Sequence, residues 1–179
     1  AADYETLLTA AAEGDGNDSS ELYNRATQAL YAPGSTFKMV TLAAALQDGI
    51  AKADSEYDSP GEMEIGNAPV TNVKKRSYGK ITLAQAMWYS SNTVFGQVGV
   101  QLGSDLLVNM ACSFGFNEAI NFDLPLAMSL MPDPAEMTEW ETAWAACGEP
   151  VGEHESPAGP QATVMQMCLV GCAIANEGA

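Results

Sequence analysis

The chain has 179 residues, 47% of them hydrophobic, which suits one domain with ample material for a core. Its 23 acidic and 7 basic residues give a formal net charge of −16, so most of the surface repels a phosphate backbone and nucleic-acid binding is not expected. The acidity itself reads as a solubility feature or an adaptation to salt, and no run approaches the ~20 apolar residues of a membrane span.

In chain order, residues 3–12 suit a short helix, and Glu13 to Ser20 is a polar loop rich in Gly and Asp. Phe37 to Gln47 is an apolar helix closed by Asp48-Gly49, with Gly49 as its left-handed terminator. Lys52 to Lys80 is irregular, punctuated by Pro60-Gly61, Gly66-Asn67 and Gly79, with short paired strands around Met63–Ile65 and Val70–Val73. Thr82-Leu83-Ala84-Gln85 is a capping box and starts a helix that runs to about Tyr89. A second helix resumes near Thr93 and ends at Gly103, and Ser104 caps a third that closes at Phe114-Gly115. A long connection rich in Pro and Met follows over residues 117–137. Thr138-x-x-Glu141 then opens a helix to about Cys147, Gly148 to Gly159 is a loop, and Pro160 to Asn176 is a strongly apolar helix. The chain reads as mainly α, with a small hairpin.

The four cysteines (Cys112, Cys147, Cys168, Cys172) allow three pairings, and buried free thiols are an equal alternative. Cys168 and Cys172 sit i and i+4 on the last helix, which holds their Cα atoms ~6 Å apart and does not exclude a bond. A zinc site built on Cys147, His154 and nearby acids matches no trusted ligand spacing, so no metal and no cofactor is expected. Lys74, Lys75, Arg76 and Lys80 gather four of the seven bases in one stretch, which reads as a solvated loop. Trp88, Tyr89 and Phe95 read as core residues.

Two short motifs carry chemistry. In Pro33-Gly34-Ser35-Thr36-Phe37-Lys38 the serine opens a helix and the lysine lies three residues on, so both share one face. A serine hydroxyl is a weak nucleophile until a base takes its proton, and a lysine can be that base if its site lowers its pKa from ~10.4. The helix dipole favours negative charge developing on Ser35, and the Ser35 N–H can act as one oxyanion donor. Downstream, Ser90-Ser91-Asn92 interrupts a helical pattern, and the break leaves Ser90 and Asn92 free to point at Ser35. Taken alone, each motif has a plainer reading. Ser35 can simply cap its helix, Lys38 can be a solvated first-turn lysine, and Ser90-Ser91-Asn92 can be an ordinary turn.

Tyr31-x-Pro33-Gly34-Ser35-Thr36-Phe37-Lys38 followed by Ser90-Ser91-Asn92 resembles the transpeptidase domain of the penicillin-binding proteins, of the monofunctional division and elongation type. Asn24-Arg25-Ala26-Thr27-Gln28 and the Gly79-to-Asn92 segment resemble family landmarks, as do Phe114-Gly115-Phe116, Ser129, Gln166-Met167 and Ile174-Ala175-Asn176. The resemblance implies that residues 1–179 form a single incomplete transpeptidase domain. They would be the helical subdomain of the α/β, β-lactamase-like fold, with most of the antiparallel sheet missing. The family's third motif, Lys-Thr-Gly, does not occur in the sequence.

The resemblance also implies a mechanism. Ser35 would attack the carbonyl of a D-Ala-D-Ala stem peptide and form an acyl-enzyme. Lys38 would take its proton, Ser90 would relay a proton to the leaving amine, and Asn92 would orient the substrate amide and help keep Lys38 neutral. An amine of a second stem peptide would complete the peptidoglycan cross-link, and β-lactam antibiotics would be trapped by the same acylation. The family's second oxyanion donor belongs to the Lys-Thr-Gly strand, and loss of one such donor costs ~10²–10³ in rate, so little or no turnover is expected from residues 1–179. The parent would be extracytoplasmic, anchored in the bacterial cell membrane by an N-terminal segment outside this chain, and joined to cell-wall synthesis partners. Two rivals are kept: a β-lactamase or β-lactam sensor of the same group, and a helical piece with no catalytic role of its own.

Overall fold

The computed structural model describes residues 23–152 and 155–178. The helix expected over residues 3–12 and the loop at Glu13 to Ser20 lie outside them. Among the described residues five helices carry the framework: α1 (Lys38–Gln47), α2 (Leu83–Tyr89), α3 (Asn92–Ser113), α4 (Glu139–Ala145) and α5 (Val164–Ala175). Four short strands pair as two separate antiparallel ribbons, β1 (Glu56–Ser59) with β4 (Gly79–Thr82) and β2 (Glu62–Ile65) with β3 (Ala68–Thr71).

Local chemistry explains most of the boundaries. The Thr82 and Thr138 hydroxyls each accept from the backbone N–H three residues on, and Gln85 and Glu141 reach back to the cap N–H. Both capping boxes thus form and start α2 and α4 where the sequence predicts. The β2–β3 hairpin turns at Gly66-Asn67, both at positive φ, as a tight hairpin requires. Within α3 the backbone leaves helical geometry at Gly103 (φ 77°, ψ 161°), so this element contains the two expected segments. The Ser104 hydroxyl donates to the Pro134 carbonyl, 2.9 Å away.

Several expectations are corrected. The β1–β4 ribbon joins residues twenty or more positions apart, with Glu56 opposite Thr82 and Ser59 opposite Gly79. No periodicity marks so short a pair. β3 ends at Thr71, and Val73 sits exposed in a 3-10 turn (Val73–Lys75). α5 starts at Val164, capped by the Thr163 hydroxyl, because Gln161 and Ala162 are used in extended bridges to Leu130 and Tyr31. Phe95 is fully buried as expected, but Trp88 is 78% exposed and Tyr89 is also exposed. All four cysteines are free thiols, with Cys168 and Cys172 exposed.

The core lies between α1, α3 and α4. Val40 and Ala44 from the first, with Phe37 just before it, meet Val94, Phe95, Val98 and Leu107 from the second in one buried cluster. Phe37 and Phe116 close its far end edge to face at 5.6 Å. Gly99 lets α3 and α4 touch, since a methyl group there would lie 2.4 Å from the Ala146 side chain. The family-like landmarks away from the motifs act as ties. The Gln166 amide donates to the Phe114 carbonyl at 2.6 Å, and the Ser129 hydroxyl accepts from the Thr163 N–H. No helix of the described residues is long and apolar enough to cross a membrane.

Candidate active site

Ser35 sits in a 3-10 turn (Gly34–Phe37) that runs straight into α1, so Ser35 and Lys38 share a face as their spacing predicts. The packing separates their environments. Ser35 is exposed, while Lys38 is fully buried between the core and the Ser90–Asn92 turn. Gly34 fixes the approach: its N–H donates to the Gly148 carbonyl at 2.9 Å, and the two backbones pass so closely that a methyl on Gly148 would meet Gly34 O at 1.9 Å.

The four residues named from the sequence converge on one atom. Lys38 Nζ lies 3.1 Å from Ser35 Oγ, 3.0 Å from Ser90 Oγ, 2.9 Å from the Ser90 carbonyl and 2.6 Å from Asn92 Oδ1. Ser90 serves twice because it is the left-handed C-cap of α2 (φ 56°, ψ 44°), which turns its carbonyl back toward the amine. The Asn92 amide is oriented by its other end, where Nδ2 donates to the Thr71 carbonyl at 2.9 Å.

This set of partners matches a neutral amine. The Ser90 carbonyl and Asn92 Oδ1 can only accept, and together they use the two N–H bonds of an unprotonated lysine. The two hydroxyls, Ser35 Oγ and Ser90 Oγ, complete its four contacts. Burial is the largest influence on Lys38 and pushes its pKa below the usual 10.5, while the charges of Cys147 and Glu149 act the other way. Burial also drives the Cys147 thiol up to about 12. That thiol is therefore uncharged near neutral pH, and Glu149 is left as the opposing charge. Glu149 lies at the rim, with its Oε1 3.7 Å from a methyl placed on Gly34.

A second layer fixes the turn, and the motifs gave no sign of it. The buried hydroxyls of Ser59, Ser91 and Thr93 lie within 2.8–3.4 Å of one another. Asn72 completes the cluster: its Oδ1 accepts from Ser91 Oγ and the Thr93 N–H, and its Nδ2 donates to the Pro60 and Arg76 carbonyls. The one legible signal was Ser91, an N-cap residue by type, which does cap α3 by accepting from Val94 N–H. Beside Asn92 a cavity of ≈660 Å³ opens between Thr71, Lys74, Trp140, Trp144 and Glu149. Among the described residues no group of three or more His, Cys, Asp or Glu could hold a metal ion, and His154 lies outside them.

A fold of this kind, with a hydroxyl on a helix-opening turn and a buried lysine shared with a Ser-x-Asn turn, places the molecule in a definite class. The family model described as "Penicillin binding protein transpeptidase domain" matches residues 3–179, and the chain belongs to that family.

The peptidoglycan D,D-transpeptidase MrdA of Acinetobacter baumannii is 28% identical over 166 residues, which span 90% of this chain and 25% of that protein. The D,D-transpeptidase domain of a peptidoglycan glycosyltransferase from Eggerthella lenta superposes with a TM-score of 0.89 at 55% identity, covering 97% of this chain and 43% of that one. Penicillin-binding protein A of Mycobacterium tuberculosis, in an imipenem acyl-enzyme complex, superposes with a TM-score of 0.80 at 27% identity over 99% of this chain and 40% of its own. The chain thus spans about a quarter of the curated relative and under half of the solved domains. Its helices and two short ribbons are a partial α/β transpeptidase fold.

Proposed function

We propose that residues 1–179 carry the acylating half of a peptidoglycan D,D-transpeptidase. Ser35 is the nucleophile, Lys38 the base that takes its proton, Ser90 the group that passes a proton toward the leaving amine, and Asn92 the group that orients the substrate amide and the lysine. The observation that carries this reading is the single buried amine within 3.1 Å of both hydroxyls and the Asn92 amide. A proton leaving Ser35 Oγ has in reach an amine whose pKa burial lowers, and the hydroxyl itself faces solvent where a carbonyl can approach. The relatives' names, a peptidoglycan D,D-transpeptidase and an imipenem acyl-enzyme, support peptidoglycan as substrate and β-lactams as acylating inhibitors, and with them a place outside the cytoplasm.

The test is intact mass after incubation with a penicillin. The expected result is an adduct of the drug's mass on Ser35, absent in Ser35→Ala and in Lys38→Ala with the fold retained. No adduct after an incubation long enough to offset the ~10²–10³ loss expected from the missing oxyanion donor would overturn the reading.

Glu149 gives one specific reason to weigh the hydrolytic members of the same group, since its carboxylate stands beside Gly34 and acts on Lys38. A persistent adduct supports the transpeptidase. An adduct that decays to the free enzyme and opened drug, and persists in Glu149→Gln, supports a hydrolase.

A further inference from the structure

Asn72 is buried just past the end of β3, next to Thr71, whose carbonyl orients the Asn92 amide. Its side chain is fully used. Oδ1 accepts from Ser91 Oγ at 3.2 Å and from the Thr93 N–H at 3.1 Å. Nδ2 donates to the Pro60 carbonyl at 3.0 Å and to the Arg76 carbonyl at 2.9 Å. These contacts take up both acceptor and both donor positions of an amide, so its orientation is fixed. The main chain is tied as well: the Asn72 N–H donates to the Gly61 carbonyl at 3.0 Å, and its carbonyl accepts from the Lys75 N–H at 2.8 Å. The loop closed in this way is strained, with Lys74 and Lys75 both left-handed at φ 56° and 52°.

The two contacts of Oδ1 fall on either side of Asn92. Thr93 is the second residue of α3, and its N–H is one of the donors that a helix start leaves without an intrahelical partner. Ser91 caps the Val94 N–H, and Asn72, 21 positions earlier in the chain, takes that of Thr93. With the Thr71 carbonyl on Asn92 itself, two consecutive residues grip three consecutive residues of the catalytic turn.

We infer that Asn72 is a positioning residue for acyl transfer, acting through Ser91 and Thr93 to hold Asn92 Oδ1 against the Lys38 amine. The inference rests on the acyl-transfer reading above. The contact it protects is 2.6 Å long, and a shift of about 1 Å away from the amine would carry that oxygen out of hydrogen-bond reach. A misplacement of that size can slow a reaction ~10²-fold. Ser59 supplies the contrast. Its hydroxyl belongs to the same buried cluster and reaches the Ser91 and Thr93 hydroxyls, but it does not hold the Thr93 N–H. Loss of the Ser59 hydroxyl therefore weakens the cluster and leaves both contacts of Asn72 Oδ1 in place.

The experiment follows penicillin adduct formation over time by intact mass at neutral pH, with urea unfolding of the same samples. The proteins are wild type, Asn72→Ala, Asn72→Asp and Ser59→Ala. Asn72→Ala should form the adduct at least tenfold more slowly than wild type. In Asn72→Asp the carboxyl, buried against two carbonyls, is held neutral, so one oxygen still accepts from Ser91 and Thr93 and the other donates once. That variant should unfold at lower urea yet acylate within about threefold of wild type. Ser59→Ala should also lose stability and keep the wild-type rate. A wild-type rate in Asn72→Ala overturns the inference. So does Asn72→Asp or Ser59→Ala slowed as much as Asn72→Ala, since the rate would then follow stability. If Asn72→Ala does not fold, Asn72→Asp decides: a rate near wild type supports the inference, and a loss of tenfold or more overturns it. Failure of both to fold makes Asn72 a folding residue and overturns it too. A wild-type adduct with any of these reversals sinks the inference alone, whereas no wild-type adduct sinks the acyl-transfer reading with it.

Discussion

Asn92 Oδ1 approaches the Lys38 amine to 2.6 Å, the shortest of that amine's four contacts, while the opposite end of the same amide is tied to the Thr71 carbonyl. The amide is thus locked in one orientation, acceptor toward the lysine. It satisfies an N–H without adding negative charge, which is the property a neutral lysine needs in its neighbour.

Asn92→Asp tests that property. A carboxylate in the same place favours the charged lysine and raises its pKa. Acylation needs the neutral amine, so the rising limb of the pH–rate profile should move to higher pH. At neutral pH the rate should fall about tenfold for each pH unit the limb moves. A limb that stays where the wild type has it would show that Lys38 is not the base.

Cys147 predicts an alkaline loss of stability. Its thiol is pushed from 9.0 up to about 12 in the folded protein. A group raised in this way favours folding while it stays protonated, so its contribution is whole below pH 9 and fades as pH climbs from 9 toward 12. At ~1.4 kcal/mol per pH unit, the full effect is about 4 kcal/mol. Lys38, lowered by burial, has the opposite slope as pH rises toward 10.5, so the two must be separated by substitution. In urea unfolding, Cys147→Ala should be less stable than wild type at pH 8 and should close that gap by pH 11. A constant gap would contradict the assignment.

Gly148 holds the turn that presents Ser35. Gly148→Ala places a methyl 1.9 Å from Gly34 O on a residue at φ 84°, so the two loops must part. The expected cost is about 3 kcal/mol, with penicillin adduct formation slowed at least tenfold. Gly171→Ala on α5 is the control, because its methyl meets nothing and the backbone is helical. It should gain about 0.5–1 kcal/mol and leave acylation unchanged. Equal effects from the two substitutions would rule out the strain argument.

The chemistry of the site was more legible than its support. Ser35 with Lys38, and Ser90 with Asn92, could be paired because helical spacing and a helix break are local properties. The capping boxes at Thr82 and Thr138 were legible for the same reason. The Ser59–Asn72–Ser91–Thr93 cluster was not, since it joins three segments and each residue by itself resembles ordinary turn chemistry. The β1–β4 ribbon failed the same way: four-residue strands carry too few side chains to show a period. Trp88 was misread because an apolar side chain near a helix end normally faces inward. Only the stack with Tyr89 and Tyr78 shows where it goes.

Ser90 is left-handed without being glycine, and this brings two different oxygens of one residue to the same amine. One of the lysine's four contacts therefore comes from the main chain, which no side-chain replacement removes. Exchanging Ser90 for glycine would relieve the twist, delete the proton relay and keep the carbonyl in place. Exchange for alanine keeps the twist as well, and so would measure the hydroxyl alone. The inheritance of the site includes a backbone shape as well as four letters of sequence.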